Sequence, residues 1–297
     1  MSRAESPPEA PAGTSAASTA TSVGRVPRGG LLRSETALVF RRRRTIALLG
    51  ALVAIPILIA VALQLTSGPP APGDGPPFLD QVAQSGAFVA ATSVVVAIPL
   101  FLPLTVAVIG GDSIAGEAAN GTLRYLLVAP AGRTRLLAVK TAVVLLFCLV
   151  APALMALVGF VLGTALFGWG DAASLSGGTL TQADLAGRIA LLTVYTAVSM
   201  VGVASIAVFV STLTDVPVGA MATAIIAAVA AQILGGLSQL EWLHPWLLTD
   251  RWLDFGDLLR TPVVWDSFVG NLALQGGYAA VFLSLAWARF TTKDVLS

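Results

Sequence analysis

Between two long apolar runs, Ala87–Ile109 and Thr141–Phe167, the chain carries one polar connection dense in charge, GGDSIAGEAANGTLRYLLVAPAGRTRLLAVK over Gly110–Lys140. Its ionisable residues are Asp112, Glu117, Arg124, Arg133, Arg135 and Lys140, with Tyr125 among them. They do not form a nucleophile and base pair. Asp112 is placed to cap a short helix by accepting a backbone N–H from its exposed first turn. Asn120-Gly121 is a strong turn pair, since both residues tolerate positive φ at low cost. Thr122 caps a second short helix, Leu123–Val128, and Pro130 ends it because Ala129 is pushed out of the α region. The spacing predicts two short helices joined by a tight turn, with Arg133, Arg135 and Lys140 leading back into the next apolar run. That shape suits a lever, not a catalytic pocket.

Other chemistries lack their residues. The lysines are Lys140 and Lys293, and neither follows a glycine-rich loop, so the chain is not expected to cradle nucleotide phosphates. A single Cys148 inside an apolar run and a single His244 beside Pro245 leave no disulfide framework and no multi-histidine metal site. Cys148 reads as a small packing residue, and His244 as an exposed loop residue. No H-E-x-x-H or G-x-S-x-G is present, so a membrane-embedded hydrolase has no catalytic set.

The elements that must hold the connection are read from composition. The 297 residues are 56% apolar and 11% charged, with a mean hydropathy of +0.85. Soluble domains carry about 25% charged residues, so this composition indicates a membrane protein. Six runs approach or exceed the roughly 20 residues needed to cross a bilayer: about 46–65, 87–109, 141–167, 189–210, 218–237 and 268–288. The expected fold is therefore an all-α polytopic bundle of six transmembrane helices. Pro56, Pro99, Pro103 and Pro152 predict kinks, tolerated where neighbouring helices satisfy the freed carbonyls. Residues 1–30, rich in Ser, Thr, Ala, Pro and Gly, are expected to be a disordered N-terminus. Leu31–Arg44 suits a helix in the headgroup layer, with Arg41, Arg42, Arg43 and Arg44 against anionic lipid. Because the basic run starts past residue 40 and no A-x-A site follows, Ile46–Leu65 reads as a retained span, not a signal peptide.

Lysine and arginine set the orientation. With the N-terminus inside, fourteen of the basic residues fall on the inner side and three on the outer. Both termini are then expected in the cytoplasm, with the bundle in the plasma membrane. The outer Thr66–Gly86 loop is dense in Pro and Gly and reads as a flexible connector. The outer Ser238–Ser267 segment interleaves Trp242, Trp246, Trp252 and Trp265 with Asp250, Arg251, Asp254 and Asp257. Aromatic rings favour the membrane boundary, so this segment is expected on or dipping into the outer surface, partly helical; a ligand mouth is the other reading.

The spans contain no Asp, Glu, Lys or Arg, only neutral groups including Thr92, Ser93, Tyr195, Thr196, Ser199, Ser205, Gln232, Asn271 and Gln275. Thr92, Ser93, Tyr195, Ser199, Gln232, Asn271 and Gln275 are candidates for a translocation path. Hydrogen bonds between helices are the alternative use. An ion-coupled transporter usually places an ionisable relay inside the bilayer. Without one, work must come from a partner acting on the connection.

Asp112-Ser113-Ile114-Ala115-Gly116-Glu117, Asn120-Gly121-Thr122-Leu123-Arg124, Leu126-Leu127-Val128-Ala129-Pro130 and Arg133-Thr134-Arg135 with Lys140 resemble the first cytoplasmic loop of bacterial ABC type-2 permeases. The six spans, the helix before the first, and the short Ser211–Asp215 loop are similar to that layout, as is the ending Ala288-Arg289-Phe290 with Lys293-Asp294. The resemblance covers about residues 31–297. It implies the permease subunit of an ATP-driven exporter, assembled from two permease chains, alike or different, and two soluble ATPases that bind the ATP and magnesium. It also implies a coupling helix at Glu117–Val128. Asp112, Glu117, Asn120, Gly121, Thr122, Leu123, Arg124 and Leu127 would then belong to the ATPase-coupling loop, with Glu117 and Arg124 in charged contact with the ATPase and Asn120-Gly121 setting the angle between the short helices, and Arg133, Arg135 and Lys140 would anchor the loop at the headgroups. No cofactor in the chain itself, no metal and no nucleic-acid partner are expected. A non-catalytic membrane anchor and a secondary transporter are the rival readings.

Overall fold

The computed structural model describes residues 30–65, 87–122, 132–168, 172–173, 179–260 and 262–292. The expected disordered N-terminus (apart from Gly30), the Thr66–Gly86 connector and the predicted helix Leu123–Val128 lie outside the described residues.

Among the described residues, six helices are long and apolar enough to cross a membrane: Arg43–Leu65, Phe101–Ala119, Arg133–Phe167, Ala183–Leu213, Pro217–Gly235 and Asp266–Thr292. The chain is a multi-pass helical membrane protein. In chain order its helices are α1 (Gly30–Arg41), α2 (Arg43–Leu65), α3 (Ala87–Ala97), α4 (Phe101–Ala119), α5 (Arg133–Phe167), α6 (Gln182–Ser199), α7 (Val201–Leu213), α8 (Pro217–Gly235) and α9 (Asp266–Thr292). Two-residue strands, β1 (Ala172–Ala173) and β2 (Thr179–Leu180), pair antiparallel between α5 and α6. Two 3-10 segments, Ser238–Trp246 and Asp254–Leu259, separate α8 from α9.

Local chemistry explains the boundaries. α6 opens with a capping box: the Thr181 side chain accepts from the Asp184 backbone N–H, while the Asp184 carboxylate accepts from the Thr181 N–H. α8 starts with Pro217 at its first turn, where the missing N–H costs nothing. The expected second span is broken at 98–100 around Pro99, while Pro103 sits in the first turn of α4. The Pro99 carbonyl accepts from Gln232 Nε2 of α8 at 2.6 Å, so a neighbouring helix does satisfy the break. Pro56 and Pro152 lie inside α2 and α5.

Two expectations are corrected. The span expected to end at Ile109 continues as α4 to Ala119, and Asp112 lies inside that helix, not at a cap. The Gly110-Gly111 pair did not stop it, because both glycines face tightly packed neighbours. A Cβ on Gly110 would come within 2.7 Å of the Ala207 Cβ, and one on Gly111 within 2.8 Å of the Met221 N. Likewise α5 begins at Arg133, ahead of the expected start at Thr141.

The core is built on two groupings. α4 packs between α7 and α8, and α5 runs against α2, α3 and α6, with α9 laid on α7. Cys148 is buried there, as a packing residue should be. Apolar side chains such as Leu58, Ile226 and Val269 remain largely exposed, as the outward surface of a bundle in hydrocarbon requires.

Candidate functional site

At the end of the bundle where α1, α2, α4 and α5 meet, six charges close on one another. Arg42 Nη1 lies 2.8 Å from Asp112 Oδ2, and Arg42 Nη2 lies 3.4 Å from Glu117 Oε1. Arg44 Nη1 is 3.8 Å from the other Asp112 oxygen. Lys140 Nζ stands 3.2 Å from Glu35 Oε2 and 3.5 Å from Glu117 Oε1. Three carboxylates thus meet three cations, and Glu117 joins the arginine half to the lysine half.

Burial makes this cluster more than surface decoration. The Lys140 side chain is 5% exposed and those of Glu35 and Glu117 are 12% and 14% exposed, so their charges are weakly screened by water. An ion in such a place is tolerated only when paired and hydrogen-bonded. Gly116 makes the geometry possible: a Cβ there would fall 2.6 Å from Asp112 Oδ1. The cavity within the cluster, lined by Glu35, Arg42, Arg44, Asp112 and Lys140 among others, is about 30 Å³. That is room for about one water. It holds nothing the size of a substrate.

Beyond the cluster the chain turns. Gly121 has φ of 70°, as the Asn120-Gly121 pair predicts, but Asn120 itself stays in the right-handed region at φ −84°. Thr122 caps no described helix; its hydroxyl donates back to the Glu117 carbonyl at 3.1 Å and to the Glu117 carboxylate. Leu123, Arg124 and Leu127 lie outside the described residues.

The basic residues assigned to the headgroups divide. Lys140 is a buried ion-pair partner. Arg42 and Arg44 turn inward to Asp112, and Arg44 Nη2 also reaches Met221 Sδ at 2.9 Å. Arg41 and Arg43 carry no described ion pair, and Arg133 Nη1 donates to the Thr291 carbonyl at 3.1 Å. Glu35 was not singled out from the sequence. Its only local signal is a lone acid in a basic segment.

Of the neutral groups proposed for a path, Tyr195, Ser199, Gln232, Asn271 and Gln275 make bonds between elements, while Ser93 bonds within its own helix. Ser199 Oγ accepts from Asn271 Nδ2 at 2.8 Å, and Gln275 donates to the Leu248 carbonyl at 2.9 Å while accepting from the Gly202 N–H at 3.1 Å. Tyr195 donates to the Arg251 carbonyl, Gln232 to that of Pro99, and Ser93 to that of Val89. Thr92 Oγ1 is buried with no partner among the described residues. The Tyr195 and Gln275 bonds fasten the tryptophan-rich segment to the other end of the bundle. There Leu247, Leu248, Trp252, Phe255 and Leu258 are buried, while Trp242, Trp246 and Trp265 remain exposed. His244 lies in the first 3-10 segment, with its Nε2 3.2 Å from the carbonyl of Leu237 just ahead of that segment.

A protein-family model described as "Protein of unknown function (DUF2705)" matches residues 53–296. The match takes in Asp112, Glu117 and Lys140 and begins after Glu35, Arg42 and Arg44. Comparison with curated proteins finds no match.

Proposed function

Because the chain belongs to the DUF2705 family, whose description carries no activity, we propose its function from the site: it is the permease subunit of an ATP-driven exporter, moved by a separate ATPase. One observation carries this reading. α4 runs out of the apolar zone to a positive-φ hinge at Gly121, and its last two turns are clamped by Arg42, Arg44 and Lys140, the last of these also paired to Glu35. A helix end that is stiff, charged and hinged transmits force from whatever binds beyond it. It has no need of a catalytic group.

The resemblance to ABC type-2 permeases supplies the partner: a soluble ATPase contacting the loop after Gly121, in an assembly with two permease chains. The charge bias puts this end, and both termini, in the cytoplasm of a cell whose plasma membrane holds the bundle, with α1 along the headgroups. A secondary transporter is disfavoured by the position of the buried charge: Lys140 sits at the clamp, and the mid-span polar groups are neutral. An uncharged interior favours amphipathic or apolar cargo.

Affinity purification of the full chain should bring down a soluble ATPase with a phosphate-binding loop. Gly121→Val, which forces a β-branched residue to positive φ, and Glu117→Ala, which opens the clamp, should each reduce chain-stimulated hydrolysis. Full stimulation by both variants, or nucleotide-driven flux from the lone chain in vesicles, overturns the assignment.

A further inference from the structure

Between Asp112 and Glu117, the two acids that α4 gives to the clamp, one side chain from another helix enters the backbone of α4. The Ser211 hydroxyl of α7 donates to the Gly111 carbonyl at 2.8 Å and accepts from the Ile114 N–H at 3.0 Å and the Ala115 N–H at 2.8 Å. A hydroxyl has one donor and two acceptor sites, so all of Ser211 is committed to a single turn of α4. The residue is fully buried, as are Ile114 and Ala115. Other described serines and threonines on α6 and α7 donate back to their own helix, Ser205 to Val201 and Thr212 to Phe209 for example, although Ser199 also accepts from Asn271 of α9. Ser211 reaches across.

We propose that Ser211 is the positioning residue that fastens the protruding turn of α4 to the α7–α8 hairpin, so that the two move as one body. The surroundings support it. Gly110 lies against Ala207 of α7 and Gly111 against the backbone of Met221 in α8, so nothing separates the three helices here. Only residues 214–216 join α7 to α8, and Arg44 of the clamp touches Met221. A side chain entering the i→i−4 ladder is also a recognised place for a helix to bend. Force arriving through Gly121 would therefore pass sideways into α7 and α8 at Ser211 as well as along α4.

Removing the hydroxyl does not strand its partners. In Ser211→Ala the Ala115 N–H can bond the Gly111 carbonyl, and the Ile114 N–H that of Gly110, as an ordinary helix does. The variant should fold, and the loss should be confined to the joint. Amide hydrogen exchange on the full chain in detergent tests this directly and needs no partner. Ser211→Ala should speed exchange over 112–122 by about five- to tenfold, the scale of one lost hydrogen bond, with 201–210 unchanged. Ser205→Ala, which removes a hydroxyl bonded within its own helix, should leave 112–122 as in wild type. Wild-type exchange in Ser211→Ala, or equal acceleration throughout the spans, overturns the joint.

A second arm rests on the exporter reading. With a co-purified ATPase, Ser211→Ala should keep the partner bound but lose chain-stimulated hydrolysis; loss of binding, or full stimulation, counts against the joint. If wild type captures no ATPase, the exporter reading fails while the exchange result still decides the role of Ser211.

Discussion

The two ends of this bundle solve one problem with different chemistry. At the basic end, α1 and α2 are held to α4 and α5 by side chain–side chain ion pairs through Arg42, Arg44, Lys140, Glu35, Asp112 and Glu117. At the tryptophan end, the 238–260 segment is held by side chains that donate to its backbone carbonyls. Tyr195 bonds Arg251, Gln275 bonds Leu248, Tyr278 bonds Trp246 at 2.8 Å, and Arg188 bonds Leu258 at 2.5 Å. A bond to a carbonyl fixes the path of the backbone and is indifferent to the side chain at the accepting position. Ion pairs need particular residues on both sides and weaken with salt. The tryptophan end is thus built to hold a shape, and the basic end to hold a set of partners that changed conditions can release.

The comparison is broken most severely at Lys140. Lys140→Met leaves Glu35 and Glu117 largely buried without their shared cation, and should cost about 3 kcal/mol, the low end for one removed partner of a buried pair. Thermal unfolding in detergent reads it, and adding Glu35→Gln should recover part of the loss. Next is Gln275→Leu, which strips the Leu248 carbonyl and the Gly202 N–H of a partner at once and should cost about 2 kcal/mol. Its loss should be the same at low and high salt. If Gln275→Leu proves costlier than Lys140→Met, the clamp is not the tighter of the two fastenings.

How much of this was legible in the chain depends on the range of the cause. Six spans follow from apolar runs without charge, the break near residue 99 from its proline, and the positive φ at Gly121 from the Asn-Gly pair. What misled was Gly110-Gly111-Asp112, which locally reads as a stop followed by a cap. Its real function is tertiary: the glycines admit Ala207 and Met221, and the aspartate meets Arg42, 70 residues earlier. No local pattern pairs those residues. Nor does any breaker precede Met200, where α6 passes into α7; Gly202 there leaves space for Leu248 and Gln275. The neutral span residues had two readings, and the bonds that Tyr195, Ser199, Gln232, Asn271 and Gln275 make to other elements follow from no local pattern.

A sharper form of the contrast is salt. The Arg42 side chain is 38% exposed, so its pairs with Asp112 and Glu117 are only partly shielded from solvent. Arg42→Ala should cost about 1 kcal/mol at low ionic strength, the upper range for a partly exposed pair. That cost should fade as the screening length falls from about 10 Å at 0.1 M to about 3 Å at 1 M. Unfolding midpoints of wild type and variant, measured across that range, should converge. Parallel curves would mean that Arg42 acts by packing and not by charge.

The smallest effect belongs to the tryptophan end, where one charge is out of place. Burial, then the neighbouring Asp250 and Asp257 carboxylates, raise the Asp254 carboxyl above its ordinary value, with Arg251 pulling the other way. A raised folded pKa means the carboxylate is worse placed in the fold than in the unfolded chain. The cost is absent below the unfolded value, grows as pH rises through the window between the two, and is complete above the folded value. Asp254→Asn should therefore stabilise the protein slightly at neutral pH, and the gain should vanish as pH falls toward the ordinary carboxylate range. Because Asp254 is only partly buried, screening keeps the gain below that of any other change considered for this end. A variant less stable than wild type at neutral pH would show that the Asp254 charge is needed by Arg251, and that the tryptophan end also depends on an ion pair.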